Sequence, residues 1–331
     1  GLIEGTQPRP VVALRADMDA LPVTEESGLP FASEVRTTAC GQDVGVAHAC
    51  GHDAHTAILM GVAEILAGLR ERIPGSVKLI FQPAEEGPPD GEEGGAQLMI
   101  AEGVLDDPPV GAIFGLHVMA MLSTGVFGYR AGPLMASADA LKIVVHGRQT
   151  HAALPWCGVD PIVVAAQVVL GLQTVASRQI DITLEPAVVS LGAIHGGVRE
   201  NIIPGQVEMI GTIRTFNEAM RDDLHARIRR TVRGICDSAG ATAEVIIQKG
   251  YAVTVNDDAL TLRMLSTLRR VAGSDRVVLT TKIAGAEDFS FFQQRVPGMF
   301  FFVGITPPDQ DPATAAPNHS PLFYVDEAAL I

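Results

Sequence analysis

Basic residues are scarce in this chain: 24 lysines and arginines stand against 38 aspartates and glutamates, a formal net charge of -14 over 331 residues. That balance argues against nucleic acid and anionic membrane surfaces as partners, because both reward clustered Lys and Arg. No window offers the roughly 18 uninterrupted apolar residues of a membrane span. Cysteine is sparse as well. The four, at positions 40, 50, 157 and 236, lack the dense spacing of a disulfide scaffold. There is no Gly-x-Ser-x-Gly nucleophile elbow, and the glycines of 192–197 lack the terminal Lys of a phosphate loop. The opening Gly1-Leu2-Ile3-Glu4-Gly5 holds neither an initiator Met nor a signal-peptide pattern, so residues are expected to be missing upstream.

Against these absences, one segment is dense in chemistry. His48-Ala49-Cys50-Gly51-His52-Asp53-Ala54-His55 places three histidines, a cysteine and an aspartate in eight residues of a chain with only nine histidines. Such side chains are the usual donors to zinc and related metals, and packing calls for no such concentration. The bland alternative is a buried Cys beside helix-capping polar residues. A carboxylate pair, Glu85-Glu86, follows the apolar run at 77–81. There one carboxylate can ligate a metal while its neighbour deprotonates a water of lowered pKa, about 7, and then protonates a leaving nitrogen. The acids Glu92 and Glu93 lack a strand setting and read as solvated loop charges.

The chain length allows one large domain or two ordinary ones. Apolar strands are expected at 11–16, 77–81, 112–116 and 299–304, with helices at 55–69, 96–101 and 258–271. Strands alternating with helices imply a mostly parallel sheet with covered faces, and ligands in such sheets bind beyond the carboxyl ends of strands. Asp17, Asp19, Glu85, Glu86 and His117 fall there. Asp17 and Asp19 alternate, so only one is expected to face the site, as an acid orienting a ligating histidine. Between about 133 and 249 the texture changes to strand 140–145, helix 161–177, strands 187–194 and 207–213, helix 218–238 and strand 243–248. This β-α-β-β-α-β order is that of a ferredoxin-like α+β sandwich with its own core. The expected division is therefore 1–132 with 250–331 as the metal-binding domain, and 133–249 as an insert. His117 and the loop residue His319 bring the distant donors to the first cluster. Five donors suit two metals that share ligands about 3.5–4 Å apart. Cys50 with a nearby His could instead mimic a cysteine hydrolase, but that dyad leaves the paired glutamates unexplained.

The ordered motifs Ala16-Asp17-Met18-Asp19-Ala20-Leu21-Pro22, His48-Ala49-Cys50-Gly51-His52-Asp53, Phe81-Gln82-Pro83-Ala84-Glu85-Glu86-Gly87 and Gly115-Leu116-His117 resemble the dinuclear-metal aminoacylases and carboxypeptidases, in the branch of auxin-conjugate amidohydrolases and hippurate hydrolases. Thr150-His151-Ala152-Ala153-Leu154-Pro155-Trp156, Asn201-Ile202-Ile203-Pro204 and Asn318-His319-Ser320-Pro321 extend the likeness through nearly the whole chain. The resemblance implies metal ligands at Cys50, His52, Glu86, His117 and His319, with Glu85 as general acid/base. It implies that His151 polarises the scissile carbonyl, often across a dimer, and that Asn201 and Arg214 assist substrate binding. It makes the insert a lid and homodimerisation module. Asp19 and Asp53 become acids behind the ligands, and His48 and His55 are not ligands.

The implied activity is hydrolysis of the amide bond of N-acyl amino acids by metal-activated water. A dipeptidase, a carboxypeptidase or an N-acetyl-diamino acid deacetylase using the same site is the alternative, and a binding protein without catalysis is a different class. Two divalent ions are implied, with zinc suited to thiolate and imidazole and manganese, nickel or cobalt as other occupants. The partner is then a small N-acyl amino acid or short peptide. A thiolate ligand suits a reducing, cytoplasmic compartment. Relatives begin with an extra helical segment and strand and run on beyond Ile331, and the insert Pro88-Pro89-Asp90-Gly91-Glu92-Glu93 is expected to reshape the pocket.

Overall fold

The computed structural model describes residues 1–39, 41–89 and 91–330. Cys40, and Asp90 of the inserted loop, lie outside the described residues. The chain divides into two compact units: Gly1–Gly132 with Val255–Thr281 and Asp288–Ile331, and Pro133–Thr254 with Lys282–Glu287.

The first unit is built on a seven-stranded sheet in the order Leu2–Glu4, Ser76–Gln82, Val11–Asp17, Ala112–Ser123, Gly298–Thr306, Phe127–Tyr129, Val277–Leu279. The four central strands run parallel, and antiparallel pairs occur at Leu2–Glu4 and between Phe127–Tyr129 and Gly298–Thr306. From Val11–Asp17 the chain passes through helix His52–Gly68 to Ser76–Gln82 on one side. It then returns through helix Gly95–Ala101 to Ala112–Ser123 on the other. The order reverses at Val11–Asp17, which opens a crevice at the carboxyl ends of these strands. Apolar side chains fill both faces. Leu59 of the long helix packs on Ala16, Val77 and Leu79. Phe289, Phe292, Phe300 and Phe302 are wholly buried, with their rings in contact with one another. Gly115 has no room for a side chain there, since a Cβ would stand 2.9 Å from the Phe289 and Phe300 rings.

The bounds of the two elements that carry buried histidines differ from the sequence reading, for a shared reason. The helix begins at His52, not residue 55, and the strand expected to stop at 116 continues to Ser123. His52, His55 and His117 are polar yet buried, so apolar periodicity does not register them. His117 accordingly lies within its strand, paired with Phe302, and not beyond its end.

The second unit has a four-stranded antiparallel sheet, ordered Ala187–Gly196, Gln206–Thr215, Asp139–His146, Thr242–Lys249. Helices Pro161–Thr174 and Glu218–Ser238 pack on it, so the elements follow one another as strand, helix, strand, strand, helix, strand. Asp160 and Asn217 cap these helices by accepting backbone N–H groups of their first turns. Leu224, Ile228, Val232 and Cys236 recur every four residues on the buried side of the second helix. The run Pro161–Gln179 is long and apolar enough to cross a membrane by composition, but its Val164, Ala165, Val168, Leu172 and Val175 are core residues of this sandwich.

Asp139 is the charged knot of the second unit. Its wholly buried carboxylate accepts Arg221 Nε at 3.0 Å, His225 Nε2 at 2.6 Å and the Gly250 N–H at 3.2 Å. Burial raises its pKa, but the His225 and Arg221 bonds outweigh that and bring it down to about 2. The unfolded value is about 3.9, so the stabilisation is present above that pH and is lost as pH falls towards the folded value. Asp139→Asn should destabilise the protein by about 3 kcal/mol at neutral pH, because the buried Arg221 is left with only the solvated Glu218 carboxylate as a charge partner. Urea unfolding checks this. The gap between variant and parent should close between about pH 4 and 2, and equal midpoints at neutral pH would contradict the assignment.

Candidate metal centre

Cys50 and His52 flank Gly51, which sits at φ 83° at the start of the long helix. A Cβ on Gly51 would stand 2.4 Å from Val118 Cγ2, so only glycine brings the helix start this close to the strand carrying His117. Glu85 and Glu86 stand on the turn after Ser76–Gln82, and His319 on the loop after residue 317. The fold gathers all six. Donor atoms of Cys50, His52 and His117 lie within 4.8 Å of one another, as do those of Cys50, Glu86 and His319, and those of His52, Glu85 and Glu86. Cys50 belongs to the first two groups. Its Sγ is 3.4 Å from His117 Nε2 and 3.2 Å from His319 Nε2, and His319 Nε2 is 3.0 Å from Glu86 Oε1.

Hydrogen bonds to pure acceptors and donors fix how each imidazole is presented. His117 Nδ1 can only donate to the Val118 carbonyl, 2.7 Å away, which leaves the Nε2 lone pair facing Cys50. His52 Nδ1 faces the Asp19 carboxylate at 3.1 Å, so its Nε2 also presents a lone pair. His55 differs. Its Nε2 accepts the Val118 N–H at 2.8 Å and its Nδ1 is bonded to Asp17, so both ring nitrogens are committed. The protonation pattern suits two ligating histidines and one structural histidine.

Electrostatics supply the test of fit. The Cys50 thiol is pushed well above its ordinary range by burial first, then by the Glu86 and Glu85 carboxylates. Burial also pushes His117 down to about 3, with His55 adding to the effect. A buried thiol among carboxylates and unprotonated imidazoles is a set of electron-pair donors that repel one another, and a divalent cation is the species that stabilises them together. The residues fit a metal pair with Cys50 shared. Backbone strain points to the same place. Among the described residues, the non-glycine positions with positive φ are Ala84, at 56°, directly before Glu85, and His319 itself, at 73°.

Asp19 stands behind the donors, joining His52 to the Glu86 N–H, which donates to Asp19 Oδ2 at 2.9 Å. Burial raises its pKa, and the His52 and Glu86 bonds outweigh that and lower it. Asp17 is also at the site, against the expectation that only one of the two acids faces it. The strand ends at Asp17 and the chain turns, so alternation no longer separates them. Asp53 is a correction of the opposite kind. It is exposed, accepts the N–H of Ala54, and lines a separate cavity of about 450 Å³ together with His48. His151, Asn201 and Arg214 belong to the second unit. Thr150–His151 pairs with Ile202–Ile203, and Ala152 N–H donates to Asn201 O, so these two candidates are neighbours. Arg214 is half-buried and donates to Thr212 Oγ1 at 3.1 Å.

Sequence reasoning missed Arg15, Gln82, Asp288 and Asn318. Asn318 donates to Cys50 O at 3.3 Å and Val118 O at 3.2 Å and so ties the His319 loop to the other donors. Arg15 carried a usable signal, since a cation inside the apolar run at 11–16 demands a buried partner.

The sequence matches the profile of peptidase family M20/M25/M40 over residues 13–330. It is 44% identical over its full length to a protein of Saccharolobus solfataricus named thermostable carboxypeptidase 2, covering 79% of that protein. It is 39% identical to the Arabidopsis thaliana protein named IAA-amino acid hydrolase ILR1-like 4, covering 98% of this chain and 71% of that one. A solved dinuclear metal binding peptidase of Bacillus subtilis is similar with a TM-score of 0.81 and 36% identity, over 99% of this chain and 80% of that one. Family match, parallel sheet and shared donor groups agree: the chain belongs to the M20/M25/M40 peptidase family, as a hydrolase of amide bonds that uses a pair of divalent metal ions.

Proposed function

We propose that this hydrolase cleaves N-acyl amino acids into an acid and a free amino acid. The observation that carries the reading is Cys50 shared between two donor groups, with Glu85 in a third group beside them. Cys50, His52, Glu86, His117 and His319 would hold the ions, and zinc suits a set of thiolate and imidazole donors better than manganese, nickel or cobalt. Bound there, the metal pair supplies an acidified water and polarises the acyl carbonyl.

The chain's own residues do the rest. Glu85, 5% exposed, takes the proton of the attacking water and returns it to the departing nitrogen. His151 is assigned to the carbonyl oxygen. Its Nδ1 accepts the Ala153 N–H at 3.0 Å, so the neutral ring carries its proton on Nε2, available to an oxyanion. Arg214 is assigned to the substrate carboxylate, which its planar fork can take bidentately, with Asn201 as a further polar contact. The homodimer belongs to this reading, and Trp156 and Val198, 75% and 89% exposed, offer the second unit apolar surface for it.

Glu85→Gln should lower kcat by about 10²–10⁴-fold while leaving the metal-to-protein ratio unchanged. Elemental analysis and turnover of N-acetyl and N-benzoyl amino acids measure both. Hydrolysis that survived this change and also survived chelation would refute the mechanism. Cys50→Ser should lower occupancy of both metal positions together, because one thiolate serves both groups; loss of a single equivalent would show that Cys50 is not shared. The carboxypeptidase similarity favours peptides as the second reading. A panel of N-acyl amino acids against dipeptides separates the two by kcat/KM.

A further inference from the structure

Arg15 is fully buried, and its guanidinium organises the turn that carries Glu85. Nε donates to Gln82 Oε1 at 2.8 Å, one terminal nitrogen to Asp17 Oδ2 at 2.7 Å and the other to Asp288 Oδ1 at 3.0 Å. The Gln82 amide donates to both Asp288 oxygens, at 2.8 and 2.7 Å, and Asp288 Oδ2 accepts the Ala96 N–H at 2.7 Å. The backbone N–H of Asp288 then donates to Glu85 Oε1 at 3.3 Å. One residue thus joins the ends of strands Val11–Asp17 and Ser76–Gln82, the start of helix Gly95–Ala101, and the Glu85 carboxylate. The turn is closed from its other side by bare backbone. A Cβ on Gly95 would lie 2.7 Å from Asp288 Oδ2 and 3.0 Å from Ala84 O, and one on Gly94 would lie 2.9 Å from the Ala84 Cβ.

We propose that Asp288 is a positioning residue for Glu85. Its side chain, clamped by Arg15, Gln82 and Ala96, fixes the peptide whose N–H holds one Glu85 oxygen, and so sets the orientation of that carboxylate beside His52 and Glu86. The inference rests on Glu85 being the general base. The network as a whole is no requirement of stability, because a buried ion pair replaced entirely by apolar groups of similar volume is often neutral or stabilising, and this network ends on the Glu85 carboxylate. A base held in one orientation lowers the barrier only at the chemical step, so the loss on loosening it falls on kcat and not on KM.

In the metal-replete enzyme, Asp288→Asn keeps the shape but sets an amide NH₂ against the donors of Arg15 or Ala96. It should lower kcat by about 10–100-fold, with KM and metal content held within about twofold. Adding Gln82→Glu returns a carboxylate to the network and should recover part of that kcat. In a Glu85→Asp background, Asp288→Asn should cost less than about threefold, because its effect passes through the base. Should Asp288→Asn not fold, Gln82→Met, which removes the clamp and leaves the Arg15–Asp288 pair, should show the same fall in kcat at unchanged KM. A folded variant that keeps kcat overturns the proposal, and so does one whose loss is as large in the Glu85→Asp background as in the parent. Full activity of Glu85→Gln alone would instead overturn the assignment of the base on which it rests.

Discussion

The shared position of Cys50 sets the electrostatic problem that the first unit is arranged to solve. The buried Cys50, His52, Glu85 and His117 converge with the partly exposed Glu86 and the exposed His319, and every one of them presents electron pairs. Folding such a set costs several kcal/mol per buried charge unless a cation is present or the groups neutralise. In the metal-free chain the thiol holds its proton, with burial and the Glu86 charge as the leading causes. An ion held by Cys50 would require the thiolate, so metal affinity and thiol ionisation would be one equilibrium. The strained backbone at Ala84 and His319 and the bare approach at Gly51 belong to the same account. Each forces a donor into a place that unstrained chain does not reach.

The orientation of His117 and the anchoring of the His319 loop depend on one residue, Val118. Strand Ala112–Ser123 pairs with Val11–Asp17 only as far as Gly115, where the neighbouring strand is close to its end. Beyond that point Val118 has a backbone N–H and C=O with no ladder partner on that side, and a buried peptide group must find one. The N–H goes to His55 Nε2, and the carbonyl accepts His117 Nδ1 and the Asn318 amide. A strand that outruns its neighbour thereby sets the tautomers of two histidines and anchors the His319 loop. His55 becomes a link between Val118 and Asp17, and Asp17 leads on to Arg15. Site geometry and sheet geometry are continuous here, with no flexible group between them.

This continuity explains which parts of the protein could be read from the sequence. Helix Glu218–Ser238 has the expected bounds, because its cap at Asn217 and its four-residue apolar period are local signals. The four central strands of the first sheet and all four strands of the second were legible from their apolar runs, whereas Leu2–Glu4, Phe127–Tyr129 and Val277–Leu279, three residues each, are too short to leave such a run. The donors themselves were legible because thiol, imidazole and paired carboxylates are rare together. What escaped is whatever depends on partners distant in sequence. Arg15 and Asp288 stand 273 positions apart, and neither carries a local mark of the other. Asp53 shows the converse failure: it sits beside a ligand in sequence, yet the first turn of a helix directs it away, and Asp17 and Asp19 hold the imidazoles instead.

The charge balance bears on how such a site meets its substrate. The proposed substrate, an N-acyl amino acid, is an anion, and a chain with a formal charge of -14 repels it at long range. Attraction must therefore be local, and at physiological ionic strength screening confines it to within about 8 Å. The metal pair is one local source of positive charge. In the proposed reading Arg214 is the other: burial is the leading influence on it, and the nearby Asp139 charge is already shared between Arg221 and His225. A half-buried guanidinium that donates to a neutral hydroxyl has more to gain from a carboxylate than a solvated one has. Acidic character elsewhere on the surface then sharpens selection, because an anion without the matching carboxylate geometry meets the repulsion without the compensating contact.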